Sequence, residues 1–341
     1  MESILVTGGA GFIGSNFVRM LRRRHRGLHV HVLDALTYAG DLDNLADVLD
    51  DPRLHFWYGN VCDDEIVSQL MERVDTVVHL AAESHVARSI FSNRIFYETD
   101  VIGTQVIANH VLKQRRRIRR FVHVSTSEVY GTALSRPMTE EHPLNPASPY
   151  ASAKCGADRL VYSYWRTYGI PAVIVRPFNQ YGPHQHLEKC IPRFLCGSLA
   201  GATLTVHGDG SAARDWCYVD DTCEALLACL EAPLDAVCGE VINLGTGVAT
   251  DILTLAHKVL ERTGGARALI EHIENRPGQV ELHISSTDKA CRLLGWKART
   301  SLDDGLARTV AWYRANEAWW RRRTWMRHVP LELPNGNHVL H

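Results

Sequence analysis

Tyr150 and Lys154 stand four residues apart, as Tyr-x-x-x-Lys. On a helix, positions i and i+4 share a face. An ammonium beside a phenol favours the phenolate and lowers its pKa from about 10 toward working pH. Such a phenolate can take a proton from a sugar or alcohol hydroxyl while hydride leaves the same carbon for a nicotinamide. Ser148-Pro149 precedes the pair and reads as an N-cap followed by the first helical residue. Upstream, the run Ser125-Thr126-Ser127-Glu128-Val129-Tyr130-Gly131 ends a predicted strand. It can hold a second hydroxyl beside the same substrate.

A second set of residues suits a dinucleotide. Gly8, Gly11 and Gly14 follow an N-terminal strand pattern and open a helix pattern. Glycines there permit a tight turn and let backbone approach a pyrophosphate, whose charge sits at a helix N-terminus. Asp34 ends the next strand pattern, twenty residues beyond Gly14. A carboxylate at that point accepts hydrogen bonds from a ribose and repels a 2′-phosphate, which favours NAD over NADP. Asn60 and Val61, after the third strand, are placed to flank an adenine.

The elements that must carry these residues alternate regularly. Candidate strands are 4–7, 30–33, 54–58, 76–80, 121–125, 172–176 and 240–244. Helical patterns fall between them, as at 15–24 and 101–114. Near-continuous Val/Ile/Leu strands separated by helices predict an α/β parallel sheet covered on both faces. From about Asn179 the rhythm breaks at Gln180-Tyr181-Gly182-Pro183 and His207-Gly208-Asp209-Gly210, which predicts a smaller second domain. Residues 1–178, with a return at 218–245, are expected to form the cofactor domain, and 179–217 with 246–341 the substrate domain. The tail after Arg321 is expected to wrap the surface.

Composition excludes several classes. Among 341 residues, 37 Lys+Arg balance 38 Asp+Glu, so no basic excess drives nucleic-acid binding. The arginine-rich runs 19–26 and 113–120 close predicted helices, where solvated cations complement the dipole. The nine cysteines form no CxxC pair, which predicts reduced thiols in a cytoplasmic protein and no metal site. No leader pattern opens the chain and no apolar run approaches 18 residues, so neither secretion nor a membrane span is expected.

Taken together, TGGAGFIGSNFVR, LDALTYAGDLDNL, HLAAESHVARSI, STSEVYG, SPYASAK, NQYGPHQHLEKCIPRF, HGDGSAARDWCYVDD and NRPGQ resemble the extended short-chain dehydrogenase/reductases of the nucleotide-sugar branch. By pattern the chain is most similar to the dTDP-glucose 4,6-dehydratases. The resemblance implies a Rossmann-type doubly wound sheet with a smaller C-terminal α/β domain. It also implies bound NAD, a nucleotide-diphosphate sugar as substrate, and a homodimer held by a four-helix bundle. Thr126, Tyr150 and Lys154 match the group that oxidises the sugar at C4, and Glu128 matches the base at C5. Gly8, Gly11, Phe12, Ile13, Gly14, Asp34, Asn60, Val61, Leu80, Ala81 and Ala82 fall where the family holds its cofactor. Ser84, His85, Asn179, Glu188, Lys189, Arg193, Arg214 and Arg276 fall where it holds substrate.

Three positions depart from the dehydratase pattern. Ser127 replaces the aspartate that protonates the leaving C6 hydroxyl, Ala87 replaces an aspartate, and Gln279 replaces a histidine. Three chemistries begin with C4 oxidation: 4,6-dehydration, 4-epimerisation of a hexose or uronate, and decarboxylation of a uronate. Epimerisation needs no base at C5, so Glu128 favours the other two, and dehydration is the expected activity. A redox sensor without turnover is disfavoured because Thr126, Glu128, Tyr150 and Lys154 are all present.

Overall fold

The computed structural model describes residues 1–265, 270–275, 278–327, 330–332 and 338–340. Its strands include β1 (Ser3–Thr7), β2 (His29–Asp34), β3 (Leu54–Tyr58), β4 (Thr76–His79), β5 (Arg120–Val124), β6 (Ala172–Pro177), β7 (Asn179–Tyr181), β8 (Leu204–His207), β9 (Ala213–Tyr218), β10 (Val241–Leu244), β11 (Ala249–Asp251) and β12 (Ile270–Ile273). Seven of them form one parallel sheet in the order β10-β6-β5-β4-β1-β2-β3. This is the doubly wound arrangement that the alternating pattern predicts, and each of the seven expected strands falls within it.

The pleat explains the apolar runs. Successive strand residues point to opposite faces. Ile4 and Val6 enter one hydrophobic core, whereas Leu5 enters the other. All residues of β4, β5 and β6 are buried, because helices cover both faces. Helix Phe12–Arg24 packs with Val219–Glu231 on one side, and Gly103–Lys113 with Pro149–Tyr168 on the other.

Smaller sheets flank this body. β7, β9 and β11 form one, and β8 pairs with β12 in another. A third core lies here, built on Tyr181, Phe194, Trp216, Tyr313 and Trp320.

Local differences from the sequence reading have clear causes. The helix expected from 101 begins earlier, as a π-helical turn at Tyr97–Ile102 that runs into Gly103–Lys113. The basic runs are not wholly solvated. Arg22 is buried and pairs with Asp51, while its guanidinium also donates to the Arg26 carbonyl. Arg120 is buried and donates to the carbonyls of Cys229 and Ala232 at 2.8 and 2.6 Å. Both guanidiniums satisfy carbonyls at or just beyond the C-terminal ends of helices, Phe12–Arg24 for Arg22 and Val219–Glu231 for Arg120. Arg323, in the tail expected to lie on the surface, is buried and pairs with Asp41 and Asp43.

Candidate active site

The cleft opens at the carboxyl ends of the parallel strands, where such sheets hold ligands. It has a volume of about 410 Å³. Its floor is made by the residues that follow β1, β2, β4, β5 and β6, and its roof by residues 179–216.

Gly8 has φ +69°, and a Cβ there would lie 2.7 Å from the Ala81 backbone nitrogen. Gly14 packs so closely on the Gly8 carbonyl that any side chain would collide. Turn and helix therefore touch backbone to backbone, leaving the N-terminus of Phe12–Arg24 open to the cleft. Asp34 binds this turn as well as facing the cleft. Its carboxylate accepts from Ala10 N–H and Leu36 N–H, both at 2.9 Å. Burial pushes its pKa up, and those two backbone donors oppose the rise. Phe12, Ile13, Asn60, Val61, Leu80, Ala81 and Ala82 all line the same half of the cleft. The cradle suits a dinucleotide: small residues where phosphates approach, a helix N-terminus, and a carboxylate at the ribose distance in sequence.

Thr126, Ser127, Glu128, Tyr150 and Lys154 line the middle of the cleft. Ser148 caps the helix Pro149–Tyr168 by accepting from Ala151 N–H at 3.2 Å, which fixes the first turn carrying Tyr150. Thr126 hydrogen-bonds the Tyr150 phenol and accepts from Glu128 N–H at 3.2 Å. Lys154 Nζ donates to the Val124 carbonyl at 2.8 Å.

The electrostatics differ from the sequence reading. Burial pushes the Tyr150 phenol upward, and the charges of Asp100 and Glu128 push the same way, against the Thr126 hydrogen bond. Lys154, whose ammonium is engaged by the Val124 carbonyl and by the charges of Asp100 and Asp158, is not among the chief influences on the phenol. Burial pushes Lys154 down and Asp100 up, each partner opposing the other's loss of charge. Asp100 was not legible as a site residue. It lies fully buried in the π-helical turn, accepting from Glu83 N–H at 2.8 Å.

Ser84, His85, Asn179, Glu188, Lys189, Arg193 and Arg214 line the remaining half of the cleft, and Arg276 lies outside the described residues. Lys189 Nζ donates to the Ser84 carbonyl at 2.5 Å, and Arg214 to the Val280 carbonyl at 2.6 Å. Glu188 accepts from the Tyr38 hydroxyl at 2.9 Å and sits 3.4 Å from Arg88. Burial pushes the Glu188 carboxyl up against the pull of Lys189. Arg88 also lies 3.9 Å from the centre of the Tyr38 ring. Tyr38, Glu83, Gln185, His186 and Trp216 complete this wall. Sequence spacing singles out none of them. Among the described residues no group of three or more His, Cys, Asp or Glu could hold a metal ion, and no helix is long and apolar enough to cross a membrane.

A parallel sheet with this glycine turn, and a Thr, Tyr and Lys set beneath the same cleft, defines a nucleotide-dependent oxidoreductase of the short-chain type. The GDP-mannose 4,6 dehydratase family model matches residues 5–309, and the chain belongs to that family. It is 42% identical over 322 residues to a dTDP-glucose 4,6-dehydratase of Actinoplanes sp., covering 93% of this chain and 99% of that protein. Its structure is similar to that of DesIV, the dTDP-glucose 4,6-dehydratase of Streptomyces venezuelae solved with NAD and TYD bound. The TM-score is 0.90 at 42% identity, over 94% of this chain and 99% of that one. It is also similar to the UDP-glucose 4-epimerase of Thermotoga maritima solved with UDP-glucose, with a TM-score of 0.85 at 32% identity, over 92% of this chain and 99% of that one.

Proposed function

We propose that the chain is an NAD-dependent 4,6-dehydratase of a hexose carried on a nucleoside diphosphate, with dTDP-glucose the first substrate to test. The observation that carries this reading is Glu128, a carboxylate on the cleft wall beside Thr126 and Tyr150. Bound NAD supplies a hydride acceptor for C4 and a hydride donor for C6. Tyr150 takes the proton of the C4 hydroxyl, and Thr126 orients both oxygens. To accept that proton Tyr150 must stand as phenolate, against the push of burial, Asp100 and Glu128, and the positive charge of Lys154, with that of oxidised nicotinamide when NAD is bound, would favour that form. Once C4 is a ketone, the C5 proton is acidic and Glu128 removes it. Lys189, Arg193 and Arg214 supply cationic donors suited to two phosphates, and Asp34 suits an unphosphorylated ribose.

Residues 1–178 with 218–245 form the cofactor-holding part in this reading, and 179–217 with 246–341 the substrate-holding part. Apolar Phe91, Ile95, Tyr97, Ile102 and Tyr168 are exposed on or beside packed helices. This favours a homodimer through that face. None of the nine cysteines is in a disulfide, which suits the cytoplasm.

The test is incubation with dTDP-, UDP- and GDP-hexoses and the matching uronates, read by mass and by NMR at C4. A product lighter by water supports dehydration. Unchanged mass with inverted C4 overturns it in favour of 4-epimerisation, the reading that Ser127 and the epimerase neighbour support. Loss of carbon dioxide from a uronate overturns it in favour of decarboxylation.

A further inference from the structure

Elimination across C5–C6 needs two proton events. One proton leaves C5, and another must reach the departing oxygen, because hydroxide is the conjugate base of an acid with pKa about 15.7. Glu128 serves the first event. Beside it on the cleft wall stands Ser127, whose hydroxyl is too weak an acid to serve the second alone.

Ser127 has a buried partner. His283 is 0% exposed, and its Nδ1 lies 3.3 Å from Ser127 Oγ and 3.9 Å from Glu128 Oε1. Its Nε2 lies 2.9 Å from the Gly131 carbonyl, which can only accept, so Nε2 carries the hydrogen. In the neutral ring Nδ1 is then the acceptor, and the Ser127 hydroxyl donates to it. The Phe178 ring stands edge-on, 5.8 Å from the imidazole centre. Burial pushes the imidazole pKa down, as does Arg214, while Glu128, Asp215 and the Gly131 carbonyl oppose this. The resting ring is therefore a neutral acceptor between a carboxylate and a hydroxyl.

We propose that Ser127 and His283 form a relay that carries the proton from Glu128 to the departing C6 oxygen, Ser127 touching substrate and His283 acting through it as a positioning residue. The proposal rests on the dehydratase reading. The C5–H bond breaks, its proton passes to Glu128, and its electron pair becomes the C5=C6 bond. The C6–O bond breaks with its electrons on oxygen. The Ser127 hydroxyl first turns its hydrogen from His283 Nδ1 to the departing oxygen, Glu128 then passes its proton to the vacated Nδ1, and Nδ1 passes it to Ser127 Oγ as the hydroxyl proton moves to that oxygen. Water leaves, and Glu128, His283 and Ser127 return to their starting states. No proton from outside is consumed in the elimination.

The experiment compares two substrates: the nucleotide hexose that the wild-type protein dehydrates, and its 6-deoxy-6-fluoro analogue, whose fluoride leaves without a proton. In His283→Asn and in Ser127→Ala, turnover of the hydroxyl substrate is expected to fall about a hundredfold, the low end of general acid–base contributions. Reduced nicotinamide absorbance should then build up, because C4 oxidation precedes the stalled elimination. The fluoro analogue should be processed within about threefold of wild type, since no acid is needed. Ser127→Asp in the His283→Asn background should restore the hydroxyl reaction, a carboxylic acid replacing the relay. Equal losses on both substrates, or no loss on either, overturn the relay while leaving dehydration standing. A wild-type protein that releases no dehydrated product overturns both.

Discussion

The Lys154 ammonium donates to the Val124 carbonyl at 2.8 Å, joining the helix that carries Tyr150 to the end of β5. Lys154 therefore has a structural partner in addition to any catalytic one. Asp100 is buried nearby and depends on its charge.

Tyr150 and Lys154 should thus separate on mutation. Tyr150→Phe removes the phenolic proton acceptor but leaves the Val124 bond, so NAD should still bind and turnover should vanish. Stability should stay within about 1 kcal/mol, the net worth of the lost Thr126 hydrogen bond. Lys154→Met should lose turnover and also about 2 kcal/mol or more, because a buried carbonyl and Asp100 lose their donor and counter-charge. Thermal unfolding with NAD titration checks both. Retained turnover in Tyr150→Phe would remove that residue from the chemistry.

Gly8→Ala tests the phosphate turn. Its φ of +69° disfavours any Cβ, and the added atom would meet Ala81 backbone, which cannot swing aside. A left-handed conformation costs roughly 1–2 kcal/mol for a non-glycine residue, and the collision adds to it. The variant should unfold at lower temperature and bind NAD more than about tenfold more weakly, the equivalent of 1.4 kcal/mol. Unchanged NAD affinity by calorimetry would argue that the turn does not meet the dinucleotide.

The seven strands of the large sheet were legible because burial leaves short apolar stretches in each, from the near-continuous Val/Ile/Leu of β1 and β6 to the aromatic Phe-Trp-Tyr of the edge strand β3, spaced by helices. The strands β7, β8, β11 and β12 span only three or four residues each and, unlike the equally short β4 and β10, hold no two adjacent Val, Ile or Leu residues to mark them. Tyr150, Lys154, Glu128 and the glycine turn were legible because each lies within one local motif. His283 and Asp100 were not. His283 meets Ser127 across 156 positions, through the bridge that sets Leu282 against Ala213, and no local spacing encodes that meeting. The direction of the Tyr150 shift was misread for a related reason. Spacing within one helix brings Lys154 into view but not Asp100, which arrives from another element.

Arg176→Met should be severely destabilising. Arg176 Nε and Nη2 hold the two Asp158 oxygens at 2.9 and 3.0 Å, and both side chains are buried. Removing the guanidinium leaves the buried Asp158 carboxylate with the part-exposed Arg159 as its counter-ion, at a cost of up to about 3 kcal/mol. Asp158→Leu together with Arg176→Met should recover much of that loss, since well-packed apolar pairs often replace buried ion pairs without penalty. Chemical denaturation of the two variants checks this. A single variant as stable as wild type would deny the pair any role.

Acid should unfold the protein earlier than its carboxylates alone require. His79 is buried in β4, with Thr7 Oγ1 at 2.7 Å from Nδ1 and Thr104 Oγ1 at 3.0 Å from Nε2. Thr104 donates its own hydrogen to the Asp100 carbonyl, so it accepts from Nε2, and Nδ1 accepts from Thr7. Burial, aided by the Lys154 charge, lowers the His79 pKa from 6.5 to about 3. The unfolded chain therefore binds this proton first as pH falls. Stability is full above pH 6.5 and declines between 6.5 and 3, by about 2 kcal/mol at pH 5 for this one group. His31, lowered to about 4, and His186, lowered to about 3, act in the same direction. Urea unfolding at pH 7 and pH 5 should show the decline, and His79→Asn should make it shallower by about one proton. An identical pH slope in that variant would mean that His79 charges without unfolding.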